Sequence, residues 1–474
     1  MFQTQISGKN LFIISKLRNY ALITTIIKLL RRVFKLGQLN DMFDEAKKYL
    51  IGGVTAGGRF HAIYGQPIYL KRASGARLYD VEDNEYIDYH NSAGPALFGY
   101  NNPRLIKAVE KAMEMGFFLN FETKYHIELA KLLVDFIPCA EKVRFSNTGT
   151  EATLGAIRLA RSYTDRDLIV KIEGHFHGMH ELIWFNHSYI ADKDEYGEVE
   201  TLADTEGIPD VFTELVKVVP YNNIDAMEHV VEKYKDRIAA IIMEPISYNC
   251  GCYPAKKKYL EEVREICDKE DIVLIFDEVI SGFRVRPGTA QGYYNVTPDI
   301  ATFAKAIGGG FPIAAVVGKD KIMKEFNPEG STVMSGTYTG SLMPVLAAIE
   351  CINMVREPDF YDKMDKLSDA LYGGMNELFK KHGILGHVRG IGSRFGIYFG
   401  VEDPEVDYDW RKVAEQFNSN ISKKFLRACL DNGLYFHDYG NSPVPMHNGF
   451  SSQHTMEDIE ITIDKIDKIF KDLK

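Results

Sequence analysis

The sequence predicts an α/β protein with a large, mainly parallel-sheet domain and a smaller α+β domain. Three observations carry that expectation. First, "LIVKIEG", "IAAIIMEP", "IVLIFDEV" and "IATFAKA" are short apolar runs separated by helical or loop segments. Parallel strands buried under helices on both faces read this way. Second, this alternation begins only near Asn101, after a segment of different pattern. Third, beyond Pro344 two helical stretches bracket "GSRFGIYFG", and the chain ends in the charged helix "TMEDIEITIDKIDKIFKDL". A tail of that kind builds a smaller α+β layer.

The elements follow in chain order. The chain has 474 residues, enough for two or three compact units. Residues 1–43 form a basic extension: Lys9, Lys16, Arg18, Lys28, Arg31, Arg32 and Lys35 stand among residues 1–40 without one acid. On a helical wheel Ile26, Leu29, Leu30 and Val33 share one face, opposite Lys28, Arg31, Arg32 and Lys35. Its uncharged runs fall far short of the roughly 20 residues that span a bilayer. Three uses stay open: a membrane-surface anchor, an organelle presequence, or a helix docked on the body, a partner subunit or a carrier protein. No small-residue cleavage site follows a clean apolar stretch, so secretion is not expected. Residues 44–100 contribute to the smaller domain, with a β-hairpin in "RLYDVEDNEYIDY" turning at Asp83-Asn84. Residues 101–344 form the large domain, where "KVRFS" reads as a strand and "GTEATLGAIRLARSY" as a helix. Residues 345–474 complete the small one.

Bulk composition excludes some functions. The net charge of −10 and a pI near 5.8 leave no basic footprint for nucleic acid. Six scattered cysteines without a C-x-x-C pair indicate a reduced, cytoplasmic protein.

Open α/β sheets place their sites beyond the carboxyl ends of the strands. Four segments end there in polar chemistry. In "FSNTGTEATLGAIRLA", Thr148, Gly149 and Thr150 offer amide N–H groups, hydroxyls and a positive helix end to a phosphate. A plain helix cap fits the same residues. In "LIFDEVISGF", Asp277 ends an apolar run and needs a cationic or hydrogen-bonding partner. A structural salt bridge would satisfy it equally. Lys305, after "IATFA" and before Gly308, Gly309 and Gly310, is a desolvated amine ready to attack carbonyls, or else a surface lysine. "SGTYTGSLMP" is a second hydroxyl-rich turn suited to an anion. Together these parts fit pyridoxal 5'-phosphate, which requires a lysine, a carboxylate behind its ring nitrogen and a phosphate cradle.

The segments "SNTGTEATLGAIRLARSYTDRD", "GHFHG", "MEPISYN", "IFDEVISGFR", "FAKAIGGGFP" and "SGTYTGS" resemble the class III pyridoxal-phosphate aminotransferases. Within them the resemblance is greatest to the glutamate-1-semialdehyde 2,1-aminomutases and their aminotransferase relatives, from about residue 44 to the end. The resemblance implies a fold-type I homodimer with shared active sites. It implies Lys305 as the lysine that binds the cofactor and Asp277 as partner of the pyridine nitrogen. Thr148, Gly149 and Thr150 would hold the phosphate, with Thr337 reaching it from the neighbouring subunit. Asn249 matches the residue at the ring hydroxyl, Phe176 the aromatic on the ring face, and Arg59 the arginine that receives a substrate carboxylate. Outside the family context, an exposed ion pair would account for Arg59.

Three positions depart from the aminomutase pattern. Phe176 stands for a tyrosine, Ala93 in "NSAGPA" for a tryptophan, and His447 in "HNGF" for an acid. All three belong to the substrate side, so the expected reaction is ping-pong amino transfer between a small amino donor and a separate keto or aldehyde acceptor. Intramolecular transfer by an aminomutase is the alternative. Three readings are weaker still. A metal site on His175, His177 and His180 with Cys250 or Cys252 lacks a settled fourth ligand. A dinucleotide site lacks G-x-G-x-x-G spacing. A non-catalytic scaffold would have no use for both Lys305 and Asp277.

Overall fold

Seven strands from the middle of the chain build the main sheet of the computed structural model, which describes residues 39–116, 120–402, 410–438, 440 and 442–473. They are β1 (Lys142–Ser146), β2 (Leu168–Ile172), β3 (Val216–Val219), β4 (Ile238–Met243), β5 (Val273–Asp277), β6 (Ile300–Phe303) and β7 (Ala314–Gly318). Their order across the sheet is β1-β7-β6-β5-β4-β2-β3. β7 alone runs against its neighbours, pairing Ala315 with Phe145 on one side and with Phe303 on the other. The remaining pairs are parallel, as between Asp277 and Thr302 or Phe276 and Met243.

Strands β2, β4, β5, β6 and β7 are buried along their whole length. That accounts for their unbroken apolar runs, because each face of the sheet is covered. Alternate residues feed two cores. Val170, Ile241, Leu274, Phe276 and Phe303 join one. Ile169, Ile242, Ile275, Ile300 and Val316 join the other, packed on Ala152, Ala156, Ile157 and Ala160 of helix α1 (Gly149–Thr164). The first core lies under α2 (Ile224–Tyr234), α3 (Lys257–Lys269) and α4 (Leu342–Val355). The expected large, mainly parallel α/β sheet is therefore present.

The later part adds α5 (Phe360–His382), the antiparallel pair β8 (Gly386–Ile391) and β9 (Arg394–Phe399), and α6 (Met456–Asp472). The strand expected in "GSRFGIYFG" is β9. Ile87 and Asp88, from the second arm of the expected hairpin, pair in parallel with Leu434 and Tyr435. The boundary placed after Pro344 falls within α4.

Contacts divide the chain into two units. One holds residues up to Arg72 together with Tyr79–Glu85; the other holds Ala73–Leu78 and everything from Tyr86. In the first, Gly53 has a φ of 74°, and a Cβ there would lie 2.5 Å from the Phe43 ring. Only glycine fits that turn. The hairpin turn also belongs to this unit, where Asp80 Oδ1 accepts the N–H groups of Glu82 and Asn84. Most of the basic extension, residues 1–38, lies outside the described residues. No helix among the described residues is long and apolar enough to cross a membrane.

Candidate active site

The second unit brings the strand-end residues together around one cavity of about 370 Å³. Thr148, Gly149, Thr150, Phe176, Asn249, Asp277 and Lys305 all line it. They arrive from the carboxyl ends of β1, β2, β4, β5 and β6, five strands that point the same way.

Lys305 opens a 3-10 turn just past β6, with φ at 49°. A lysine in the left-handed region costs about 1–3 kcal/mol and persists only where the surroundings impose it. The glycines that follow explain the geometry. Gly309 turns left-handed with φ at 57°, and a Cβ there would lie 2.7 Å from Leu105 and 2.8 Å from Cys351. The chain is therefore pressed against the protein behind it, and the lysine projects toward the cavity. Burial lowers the Lys305 amine from its ordinary 10.5 to about 7, assisted by the charge of Arg394. Glu244 opposes that shift. A large share of the amine is thus free base near neutral pH, where an ordinary lysine is fully protonated.

Asp277 ends β5 and is buried. Its Oδ1 accepts from the Val279 N–H at 3.0 Å and the Thr302 hydroxyl at 3.2 Å, and its Oδ2 from His177 Nδ1 at 2.8 Å. Burial raises its carboxyl to about 6 despite those donors. A cationic N–H brought to this carboxylate would lower it again, so the position suits a protonated ring nitrogen. The carboxylate's partners are neutral, and among the described residues no salt bridge to lysine or arginine occupies it.

At the phosphate end the structure separates the three predicted residues. Thr148 caps α1: its hydroxyl accepts from the Glu151 N–H at 3.2 Å, and Glu151 Oε2 accepts from the N–H groups of Asn147 and Thr148. This is a complete capping box. The amides of Gly149 and Thr150 have no acceptor among the described residues and stand at the positive helix end. Those two amides are donors available at the cavity wall, and the capping box of Thr148 fixes their geometry. Thr148→Ala is expected to cost about 1 kcal/mol of stability, read as a lower denaturant midpoint at unchanged slope.

Phe176 and Asn249 meet at one carboxylate. Glu244, directly after β4, accepts the Phe176 N–H at 2.9 Å and Asn249 Nδ2 at 2.8 Å, both at Oε1. Phe176, Asn249 and Lys305 also border a second cavity of about 510 Å³. Ala93 and His447 line it, beside Trp184, Trp410, His187, Asp204, Val444 and Met446. The chain's two tryptophans are both here. Ala93 sits in a left-handed run with Asn91 and Ser92, at φ 57°, 51° and 60°. His447 is buried and contacts Arg394 through Nδ1. Burial, with the charges of Arg394 and Lys305, holds it well below the ordinary histidine range, so it is neutral.

Two predicted residues are not in either lining. Thr337 is exposed in a turn. Arg59 belongs to the first unit, is exposed and donates to the Thr55 hydroxyl. The histidines weighed as metal ligands have other partners: His175 accepts the Glu244 N–H, His177 binds Asp277 and His180 contacts Thr153. Among the described residues, the acid-and-histidine group that does converge is Asp194, Glu198 and His229, and there Glu198 pairs with Lys233 at 2.7 Å.

Sequence reasoning passed over Glu244 and weighed His177 only as a metal ligand. Glu244 was open to the argument that found Asp277, since it is the carboxylate ending the apolar run "IAAIIM". His177 gave no such signal, because its partner is 100 residues away.

Known proteins resemble this chain over most of its length. The family model for class III aminotransferases matches residues 61–470. The glutamate-1-semialdehyde 2,1-aminomutase of Methanosphaera stadtmanae is 38% identical over 437 residues, covering 91% of this chain and 98% of that protein. Its counterpart in Methanocaldococcus jannaschii is 38% identical over 442 residues, covering 93% and 99%. Among solved structures, an omega-transaminase from Sphaerobacter thermophilus superposes with a TM-score of 0.85 at 30% identity, covering 92% of this chain and 97% of that one. A glutamate-1-semialdehyde aminomutase from Pseudomonas aeruginosa shares the fold with a TM-score of 0.82 at 21% identity, covering 96% and 99%.

Proposed function

Because the chain belongs to the class III aminotransferase family, we propose that it transfers amino groups between a donor and a separate keto or aldehyde acceptor. It is a pyridoxal-phosphate-dependent enzyme, as that membership and the fold establish. The first cavity fits this cofactor by chemistry. It offers an amine held near neutrality, a buried carboxylate with neutral partners, and two amide donors at a helix start. When bound, the cofactor supplies an aldehyde for the amine and a ring that withdraws electrons from the reacting carbon.

The residues then have separable tasks. Lys305 Nζ would hold the cofactor at its carbonyl carbon, with release of water, and once freed by an amino substrate would carry a proton from the substrate carbon that bears the amino group to that former carbonyl carbon. Asp277 keeps the ring nitrogen protonated, with His177, Thr302 and Val279 fixing its orientation. Gly149 and Thr150 anchor the phosphate. Phe176 covers the ring face and Asn249 its hydroxyl edge. We place Arg59 at the substrate carboxylate, and Thr337 at the partner's phosphate within a homodimer. Its exposure in a single chain is what that second role requires.

The observation that favours transfer between separate molecules is the second cavity. Alanine at position 93 and a neutral histidine at 447 give a roomy lining that lacks the acid of the aminomutase pattern. The full-length relatives support the second reading, intramolecular transfer giving 5-aminolevulinate. One assay separates them. Glutamate-1-semialdehyde is supplied without any amino donor, while α-, β- and ω-amino donors are screened for bleaching of the yellow holoenzyme. Bleaching by a donor, with turnover only after an acceptor is added, is expected. Rapid 5-aminolevulinate formation without a donor would establish the aminomutase.

The lowered amine gives a pH prediction. Lys305 is a free base above about 7 rather than above its ordinary 10.5. Covalent capture of the cofactor, trapped with borohydride, should therefore rise with pH and reach half its maximum near pH 7. A midpoint two or more units higher would contradict the burial argument.

A further inference from the structure

Glu244 has no part in the chemistry described above, yet it sits at the centre of the cavity's hydrogen bonding. It is buried and lines the cofactor cavity beside Asn249, Asp277 and Lys305. Its Oε1 takes two donors at once, the Phe176 amide at 2.9 Å and Asn249 Nδ2 at 2.8 Å. Its own amide donates to His175 Nδ1 at 3.0 Å, which fixes the backbone from which the side chain springs. Its Oε2 is buried and has no hydrogen-bond partner among the described residues.

The two donors are not an arbitrary pair. Phe176 follows β2 and Asn249 follows β4, and both border the cofactor cavity and the substrate cavity. An asparagine amide can present either its oxygen or its nitrogen to a neighbour. A carboxylate acceptor resolves that choice, because only the nitrogen can donate to it. The second hydrogen of Nδ2 then remains for another acceptor, which suits an anionic ring oxygen. We propose that Glu244 is a positioning residue whose Oε1 sets, at one atom, the orientation of the Asn249 amide and the seat of Phe176 against the cofactor ring. This rests on the placement of pyridoxal phosphate in the first cavity, though not on whether transfer is intermolecular.

Burial raises the Glu244 carboxyl to about 7, with Asp277's charge as the second cause and Asn249 and Phe176 opposing. Near neutral pH the group need not be ionised to act, since its oxygen accepts both hydrogen bonds in either state. Positioning therefore depends on reach and on an acceptor atom rather than on charge.

That contrast supplies the test. Glu244→Gln keeps the reach and the acceptor oxygen and removes the charge. Glu244→Asp keeps the charge and shortens the side chain by one methylene. Cofactor affinity by equilibrium dialysis and the visible circular dichroism of the bound cofactor are read for each, alongside Asn249→Ala and both double variants. Glu244→Gln should stay within about threefold of the parent affinity and keep its dichroic band. Glu244→Asp should bind about tenfold more weakly, as expected when a net hydrogen bond is lost because the shorter side chain no longer reaches its donors, with a diminished band. Asn249→Ala should have much less effect in the Glu244→Asp background than in the parent. The proposal is overturned if Glu244→Asp matches the parent while Glu244→Gln fails, or if the Glu244→Asp and Asn249→Ala losses multiply. Borohydride fixation of the cofactor at Lys305 in the parent is the control. Its absence would overturn the cofactor's placement instead.

Discussion

Lys305→Ala is expected to reduce amino transfer by about 10⁴-fold, the upper range for loss of a positioned acid–base group, and to prevent borohydride from fixing the cofactor to the protein. The two readouts test different tasks of one atom. Fixation reports the amine as a nucleophile, and turnover reports it as the carrier of the substrate proton. Among the described residues lining the cavity, Lys305 is the one amine. Glu244 and Asp277 share the cavity, but neither carboxylate can capture a carbonyl reversibly as an amine does. The effect should be confined to the site. Lys305 is half-buried with a desolvated amine, so its removal relieves a desolvation penalty, while alanine leaves the left-handed backbone as it was. Unfolding midpoints of the cofactor-free variant should equal or exceed those of the parent. Turnover within tenfold of the parent would end the assignment.

Asp277→Asn is expected to lower turnover by about 10³-fold, as for removal of one preorganised electrostatic partner, while leaving covalent capture by Lys305 intact. The amide retains an oxygen for the Val279 N–H and the Thr302 hydroxyl, so the cavity wall keeps its shape. What disappears is the negative charge that a protonated ring nitrogen requires. His177 makes the loss larger than one charge alone. Its Nδ1 faces Asp277 Oδ2, and its Nε2 is buried with no hydrogen-bond partner among the described residues. An asparagine NH₂ turned toward that ring would compete with any second donor from the cofactor. Titration of the visible absorption band should show the cofactor of the variant binding fewer protons near neutral pH. An unchanged titration together with near-parental turnover would mean that Asp277 is structural.

Much of this site was legible because it obeys a simple rule of α/β sheets. Lys305 and Asp277 each end an apolar run, and a run long enough to be a buried strand makes the polar residue after it conspicuous, while the Thr148–Gly149–Thr150 turn lies between the strand "KVRFS" and a helix start. The same logic reached β4 but stopped at the strand and passed over Glu244 beyond it. Other features are set by packing between distant segments, for which a single sequence holds no spacing. The His177–Asp277 contact and the neutral state of His447 beside Arg394 are of that kind. β7 went unread for a different reason. "AAVVG" is buried like its neighbours, and nothing in an apolar run tells whether it lies parallel or antiparallel. The role of Thr148 was undecided between cap and phosphate contact because both tasks want a hydroxyl before a helix. Glu151, three residues on, completed the capping box.

The confinement of both indoles to the wall of the second cavity makes the enzyme its own optical probe. Every photon of tryptophan emission originates within the site, with no background from the rest of the fold. Loading the cofactor should quench that emission by energy transfer to the yellow chromophore, and a substrate entering beside Trp184 and Trp410 should shift its wavelength. Stopped-flow fluorimetry can then time the filling of each cavity in unlabelled, unmodified protein.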